Sequence, residues 1–214
     1  MFECVFPGNV VVVAAERSAW KGELHPDEAA SLGPCREARR LEFAAGRACA
    51  REALARLGLP AGPLPRGADR LPRWPIGATG SISHCPGLCA AAVGRAERYA
   101  SLGFDLERAE RVGPELARRI CTEAERAQLG ALEEPAALAI VFSCKEAVYK
   151  AWHPLTRATL GFHDQEVEID PVGSAFAARL VNPASAAAAG HREFEGRFAL
   201  EGGVVAAGLA VERG

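Results

Sequence analysis

Two long helical stretches, each accompanied by short strand-like segments, constrain the fold of this chain more than any other feature of its sequence. Residues 36–57 repeat apolar side chains at the helical period, and Gly58 follows at a position suited to ending a helix. Pro135–Trp152 predicts a second long helix, with Pro135 in its first turn. Because an amphipathic helix must cover its apolar side, we expect each helix to pack on a sheet.

Short β-branched or alternating segments surround both helices. The predicted strands are Val10–Ala15, Ser81–Ser83, Leu88–Val93, Tyr99–Glu107, Glu166–Ile169, Phe176–Leu180, Phe194–Leu200 and Val204–Val211. The last four indicate an antiparallel sheet. Residues 60–80 predict a long loop rich in Pro, Gly and Arg, residues 113–131 an amphipathic helix, and Ala184–Gly190 a loop or a short helix.

This order of elements favours the α+β class. We expect a pseudo-twofold pair of similar α+β halves, each a small antiparallel sheet packed on a long helix, although no sequence repeat is visible. The predicted halves are residues 1–100 and 101–214, joined near residues 94–101. A chain of 214 residues can build such halves around a continuous core.

Charge and cysteine usage narrow the class of protein. The formal net charge is −2, so nothing global indicates a nucleic-acid partner, although the many arginines of residues 36–73 could receive an anion. The seven cysteines are odd in number and form no Cys-x-x-Cys, which favours free thiols in a reducing cytosol. Val10–Ala15 is too short to span a membrane and follows no basic region. We expect a cytoplasmic protein without a membrane partner.

Asp105 and Glu107 are two residues apart in a predicted strand and therefore share a face, while Phe104 and Leu106 point to the opposite face. Two neighbouring carboxylates repel each other unless a proton or a cation lies between them. Hard oxygen ligands of this kind suit Mg²⁺ together with a phosphate. The alternative is an exposed strand with acidic outward positions.

The second helix carries Lys145 in the middle of its apolar stripe, with Glu146 beside the stripe and Lys150 one turn further on. A lysine in such a position is rarely buried unless it is paired, so a buried anionic partner or a ligand would explain it. Three alternatives remain open. Lys145 could extend its ammonium group to solvent, Ser143 and Glu146 could form a capping box that breaks the helix, or Glu146 and Lys150 could be a plain ion pair.

Further candidates for anion binding lie in the first half. Ser83 and His84 stand at the end of a predicted strand, where a hydroxyl and an imidazole could hold a phosphate. Arg39 and Arg47 flank the apolar stripe of the first helix, and Arg66 lies in the following loop; arginine forks suit phosphate. The alternatives are a turn with a satisfied histidine, and arginines exposed to solvent.

Three motifs, taken together, resemble the signature motifs of the 4′-phosphopantetheinyl transferases, in the group that modifies carrier proteins of siderophore, polyketide and nonribosomal peptide synthesis. They are Gly80–His84, Gly103–Glu107 and Phe142–Lys150. The resemblance covers most of residues 36–170 and is strongest to actinobacterial members. It extends to Arg39–Leu54, Trp74–Gly77 and Trp152–Asp164. Phe104 departs from the isoleucine or valine that the family often has, and it faces the core.

The resemblance implies a monomer that binds coenzyme A in a cleft between the halves. It implies metal ligands at Asp105, Glu107 and Glu146, with Mg²⁺ or Mn²⁺ as the ion. It also implies phosphate contacts from Ser83, His84, Lys145 and Lys150, and contacts to the 3′-phosphate from Arg39, Arg47 and Arg66.

The expected reaction transfers phosphopantetheine from coenzyme A to a serine of an acyl or peptidyl carrier protein. Glu146 is the candidate base for the serine proton, and Lys145 and Lys150 would stabilise charge on the phosphates. The carrier is expected to dock an acidic helix on residues 113–131, beside Arg118, Arg119 and Arg126. Two alternatives are a Mg²⁺-dependent phosphohydrolase of a nucleotide and a non-catalytic module that binds coenzyme A or a carrier.

Overall fold

The computed structural model describes residues 2–131, 136–185 and 192–214, and in these ranges the chain forms two antiparallel sheets, each covered by a 20-residue helix. The α+β class and the plan of a sheet packed on a long helix in each half are therefore confirmed. The predicted loop or short helix at Ala184–Gly190 lies mostly outside the described residues.

The first sheet contains three strands in the order β1-β3-β2, all antiparallel. Its strands are β1 (Val11–Glu16), β2 (Ala78–Cys85) and β3 (Leu88–Arg95). A short helix, α1 (Pro26–Leu32), precedes α2 (Glu37–Arg56), which packs on this sheet. Gly58 follows α2 with a φ of 68°, as expected of a glycine that ends a helix.

The second sheet contains five strands in the order β4-β8-β7-β6-β5. Its strands are β4 (Tyr99–Arg108), β5 (Gln165–Asp170), β6 (Ala175–Leu180), β7 (Glu193–Glu201) and β8 (Val204–Glu212). The helix α5 (Ala137–Thr156) crosses β4 and β8. The approach is so close that a Cβ atom on Gly103 would lie 1.9 Å from the Ala147 carbonyl oxygen, so only glycine fits there.

The helix predicted over residues 113–131 is wrong as a single element. The chain forms a 3₁₀ turn at Pro114–Leu116, then α3 (Ala117–Ile120), then α4 (Glu123–Ala131). Thr122 and Glu125 explain the break: the Thr122 amide donates to Glu125 Oε2 at 2.7 Å, and the Glu125 amide donates to Thr122 Oγ1 at 3.4 Å. This reciprocal capping box begins a new helix.

The helix α5 begins at Ala137 and continues four residues beyond the predicted end at Trp152. Pro135, expected in its first turn, lies outside the described residues. Ser143 and Glu146 do not break the helix. The alternative of a capping box at these two residues is therefore wrong.

The two sheets meet through β2 and β4 without forming a common ladder. The Ser81 hydroxyl accepts a hydrogen bond from the Phe104 amide at 3.1 Å, and the Ser83 hydroxyl accepts one from the Leu106 amide at 3.0 Å. Phe104 and Leu106 are buried in a core that also includes Phe6, with the Phe6 and Phe104 ring centroids 5.6 Å apart. The last strand of the first sheet ends at Arg95, and the first strand of the second sheet begins at Tyr99. Because this core contains residues from both sides of that point, the domain boundary at residue 100 stays a prediction.

Among the described residues, no helix combines the length and the apolar character that crossing a bilayer requires.

Candidate active site

A cleft of about 460 Å³ lies where β2, β4, α2 and α5 approach each other. All the residues singled out from the sequence as site candidates line it, except Lys145. They are Arg39, Arg47, Arg66, Ser83, His84, Asp105, Glu107, Glu146 and Lys150. The tertiary structure thus brings together an acidic group from β4 and α5 and a basic group from α2 and the following loop.

Asp105 lies at the centre of the acidic group. Its Oδ1 atom accepts hydrogen bonds from the Ser83 hydroxyl at 3.1 Å and from Lys150 Nζ at 2.7 Å. Its Oδ2 atom is buried and has no hydrogen-bond partner among the described residues. A buried carboxylate oxygen without a partner is costly, so this atom is a strong candidate for contact with a bound ligand or ion.

The other two carboxylates of the cleft have raised pKa values. Burial raises the pKa of Glu146, and the negative charge of Asp105 raises it further. Burial likewise raises the pKa of Glu107, again with a contribution from Asp105, although the Arg108 amide donates to Glu107 Oε1 at 2.8 Å and opposes the shift. The negative charge of Asp105 therefore disfavours the charged forms of both glutamates, as expected of carboxylates that lie close together.

The acidic group of the cleft has the ligand chemistry of a divalent-cation site. Within the part of the chain that the structure describes, no three side chains already form a ligating cluster, and Lys150 engages one oxygen of Asp105. Mg²⁺, however, needs only one or two carboxylates when water and substrate phosphates complete its shell. The unpartnered Asp105 oxygen and the raised pKa values of Glu107 and Glu146 fit a cation of this kind.

Lys150 is held by three acceptors on β2 and β4. Its Nζ atom donates to Ser83 Oγ at 2.9 Å, to the Phe104 carbonyl at 3.1 Å and to Asp105 Oδ1 at 2.7 Å. The ammonium group thus links the serine of one half to the carboxylate of the other. The plain ion pair between Glu146 and Lys150, considered from the sequence, is replaced by this set of contacts.

The expectation that Lys145 contacts the ligand is wrong for this structure. Its side chain is completely buried, and Nζ donates to Glu125 Oε2 at 2.7 Å, to the Ile120 carbonyl at 2.8 Å and to the Phe162 carbonyl at 2.7 Å. With these three acceptors, the ammonium group is not among the groups that line the cleft. Lys145 neither snorkels nor meets a ligand, because Glu125 is the buried anionic partner.

His84 and Arg39 form a contact at the basic side of the cleft. Arg39 Nη1 lies 2.6 Å from His84 Nε2, and since arginine can only donate, the imidazole accepts and is neutral. Burial lowers the pKa of His84, and the positive charge of Arg39 lowers it further. Glu42 lies 3.3 Å from Arg39 and 4.0 Å from His84 and opposes this shift.

Arg47 is buried more deeply than the other arginines of the cleft, with 5% of its surface exposed. Its Nε atom donates to the Leu64 carbonyl at 2.7 Å, and its guanidinium lies 4.0 Å from the centre of the Phe43 ring. Burial lowers its pKa to about 10. A guanidinium so poorly solvated is well suited to an anionic ligand, which would replace the water it has lost.

Arg66 lines the cleft, but its guanidinium already donates to the carbonyls of Ser31 and Leu32, at 3.2 and 3.3 Å. Arg70, four residues later, lines the cleft as well and was not anticipated from the sequence. Neither was Glu42, although its position three residues after Arg39 on α2 places both on one helix face.

Comparison with known proteins agrees with this geometry. The family model for the 4′-phosphopantetheinyl transferase N-terminal domain matches residues 27–94, and that for the 4′-phosphopantetheinyl transferase superfamily matches residues 101–201.

Three relatives are 4′-phosphopantetheinyl transferases. The chain is 40% identical to Svp of Streptomyces mobaraensis, over 88% of this chain and 78% of the relative. It is 39% identical to PptT of Mycobacterium tuberculosis over 73% of this chain and 70% of the relative. It is 32% identical to Npt of Nocardia iowensis over 98% of this chain and 99% of the relative. The chain therefore belongs to the 4′-phosphopantetheinyl transferase superfamily and is an enzyme of that type.

Proposed function

We propose that this enzyme transfers 4′-phosphopantetheine from coenzyme A to a serine of an acyl or peptidyl carrier protein and releases adenosine 3′,5′-bisphosphate. The observation that carries the proposal is the single cleft in which Asp105, Glu107 and Glu146 face a basic wall containing Arg39 and Arg47. The pyrophosphate of coenzyme A would bind at the acidic side together with a cation, and its 3′-phosphate would bind at the basic side.

In the proposed step the serine oxygen attacks the phosphorus that bears pantetheine. A new P–O bond forms to serine, and the P–O bond to the adenosine 5′-phosphate breaks. The leaving group is adenosine 3′,5′-bisphosphate. The serine proton passes to a base on the enzyme, directly or through water.

Glu146 is the proposed base. Burial raises the pKa of this carboxyl group, which makes its carboxylate a stronger proton acceptor. No hydrogen bond engages it within the described ranges, so one of its oxygens can accept the proton. Lys150 is the proposed lysine at the pyrophosphate, because it lines the cleft, whereas Lys145 is buried and paired with Glu125.

Asp105, Glu107 and Glu146 are the proposed ligands of Mg²⁺, with Mn²⁺ as an alternative ion. When bound, the cation would neutralise the charge of the pyrophosphate and hold the pyrophosphate in a fixed orientation. The chain's own contribution is to hold Asp105 in place: Lys150 and Ser83 fix Oδ1 and leave Oδ2 directed to the ligand.

The proposed carrier-binding surface comprises α3 and α4. Arg118 and Arg119 are exposed there, while Leu116 and Ile120 face the core of the second half. An acidic helix of a carrier protein would fit these two arginines.

Carriers of siderophore, polyketide and nonribosomal peptide synthesis are the proposed partners. A monomer is the proposed active form.

Intact mass of an apo carrier protein after incubation with the enzyme, coenzyme A and Mg²⁺ tests the proposal, with EDTA as the control. We expect a metal-dependent mass gain of one phosphopantetheine on the carrier serine. Cleavage of coenzyme A without carrier labelling would instead indicate a phosphohydrolase. Binding of coenzyme A with neither reaction, across several carriers, would indicate a non-catalytic binding module.

A further inference from the structure

We propose that Asp69 and Arg157 form a clasp that fixes the loop of residues 66–73 at one end of the cleft and so positions Arg70 of that loop for the anionic donor. Arg157 Nη1 donates to Asp69 Oδ2. Asp69 belongs to the loop between α2 and β2, whereas Arg157 ends α5, the helix that carries Glu146 and Lys150. The inference rests on the proposed function, since its ligand is coenzyme A.

The loop is a tight hairpin-like turn with Asp69 at its tip. The Gly67 amide donates to the Leu71 carbonyl at 2.8 Å, and the Arg73 amide donates to the Pro65 carbonyl at 2.9 Å. Asp69 Oδ1 accepts from the Leu71 amide at 3.1 Å. These hydrogen bonds join both sides of the turn to its tip, so a contact at Asp69 constrains the backbone of the turn.

Arg70 depends directly on the backbone of this tip. Its φ is 65°, in the left-handed region that side chains other than glycine seldom adopt. From this position it lines both the main cleft and an adjoining cavity of about 290 Å³, which Tyr149 and Arg157 also line. A shift of Asp69, its neighbour, would redirect the Arg70 side chain away from the donor.

Arg157 occupies a position where glycine would be the usual residue. It ends α5 with a φ of 61°, and its amide donates to the His153 carbonyl at 2.9 Å. Glycine is favoured at this position because it has no Cβ. The contact between its guanidinium and Asp69 explains why an arginine stands here. In the described residues, this contact is the only ion pair between the loop and α5.

A clasp and a simple charge effect predict opposite results for one substitution. Asp69 lies among Arg73, at 3.8 Å, Arg157 and the neighbouring Arg70, so Asp69→Asn makes this end of the cleft more positive. If charge alone mattered, coenzyme A would bind more tightly to that variant. If Asp69 acts by holding the loop, coenzyme A binds more weakly.

The test measures the dissociation constant of coenzyme A by calorimetry, and its KM in carrier labelling, for Asp69→Asn, Arg157→Gly and the double variant. We expect each single variant to weaken coenzyme A binding about two- to fivefold, the range of an exposed ion pair. The double variant should be no weaker than either single one, because both remove the same contact. The kcat at saturating coenzyme A should change little.

Two control measurements distinguish loss of the clasp from a general loss of folding. Arg157→Gly places glycine where the backbone favours it, so its melting temperature should not fall. Arg179→Ala, which removes an exposed ion pair to Glu166 on the second sheet, should leave coenzyme A binding unchanged.

Unchanged or tighter binding in Asp69→Asn overturns the clasp, and so do additive effects in the double variant. Wild-type protein that binds coenzyme A but labels no carrier overturns the proposed function alone, because the binding comparison still applies. Wild-type protein that does not bind coenzyme A overturns both.

Discussion

The ammonium group of Lys145 lies 2.7 Å from the Glu125 carboxylate, and both side chains are almost completely excluded from solvent. Glu125 also accepts hydrogen bonds from the amides of Thr122 and Val167, both at 2.7 Å. The pair therefore joins α5, the start of α4 and β5 at a single point. Lys145 is adjacent in sequence to Glu146, yet it stabilises the second half and does not enter the cleft.

Lys145→Met should lower the free energy of unfolding by about 3–5 kcal/mol, because it leaves Glu125 buried without its cation. Chemical denaturation measures this change. Turnover per folded molecule should stay close to that of the wild type, since Nζ makes no contact in the cleft. Lys150→Met is the matched comparison: its ammonium group is partly exposed and lines the cleft, so it should lose activity with a smaller loss of stability.

Asp105→Asn and Glu146→Gln should respond differently to added metal. Each variant loses a proposed ligand, and at low Mg²⁺ each should lose about 100-fold or more of its carrier-labelling rate. High Mg²⁺ should restore part of the activity of Asp105→Asn, but little of that of Glu146→Gln, because Glu146 is also the proposed base. Equal recovery of the two variants in a Mg²⁺ titration would assign Glu146 to the metal alone.

Glu146→Gln should also raise the melting temperature at pH 7 in EDTA. The pKa of Glu146 in the folded protein is raised above the ordinary value of 4.5, so ionising it costs more in the folded than in the unfolded chain. The contribution of Glu146 to the stability of the wild type is therefore fully present below the ordinary pKa and is lost as the pH rises through the folded value. Melting curves from pH 4 to pH 8 should show the two proteins converging at the acid end. A constant difference across this range would contradict the assignment.

Binding of coenzyme A should be accompanied by uptake of protons near pH 6. The pKa of His84 is lowered in the free protein, first by burial and then by Arg39. A phosphate between these two side chains would favour the charged imidazole and raise that pKa again. Calorimetry in buffers of different ionisation enthalpy counts the protons. His84→Gln should lower the number of protons taken up, whereas His163→Gln, in the 3₁₀ turn before β5, should leave it as in the wild type.

Salt should weaken binding of the carrier more than binding of coenzyme A, because the proposed carrier surface is exposed and the cleft is partly buried. Arg118→Glu combined with Arg119→Glu should raise the KM for an acidic carrier about tenfold or more, through repulsion of like charges. The KM for coenzyme A should not change. Arg213→Glu, at the exposed end of the chain, is the control for a charge change of the same kind. Equal effects of salt on both KM values would argue against this surface.

Much of the fold could be predicted from local patterns. The helical period of α2 and α5, and the β-branched, alternating or turn-flanked segments of the strands, depend only on neighbouring residues. These patterns located every strand that the structure describes. The strand period of 2 placed Asp105 and Glu107 on the face opposite Phe104 and Leu106. The amphipathic pattern of residues 113–131 predicted a single helix there, and this prediction was wrong. The capping box of Thr122 and Glu125, a shorter pattern within the same range, ends one helix and begins the next.

The sequence by itself identified most of the polar residues that line the cleft, because short motifs carry both their types and their faces, but it missed Glu42 and Arg70. It could not determine which lysine enters it. Lys145 and Lys150 are separated by little more than one turn of α5, and their roles were decided by partners distant in sequence, Glu125 on α4 and Asp105 on β4. The clasp between Asp69 and Arg157, 88 residues apart, was decided in the same way. Such contacts arise only when packed elements meet, since the direction of a side chain follows from its helix or strand but its partner does not.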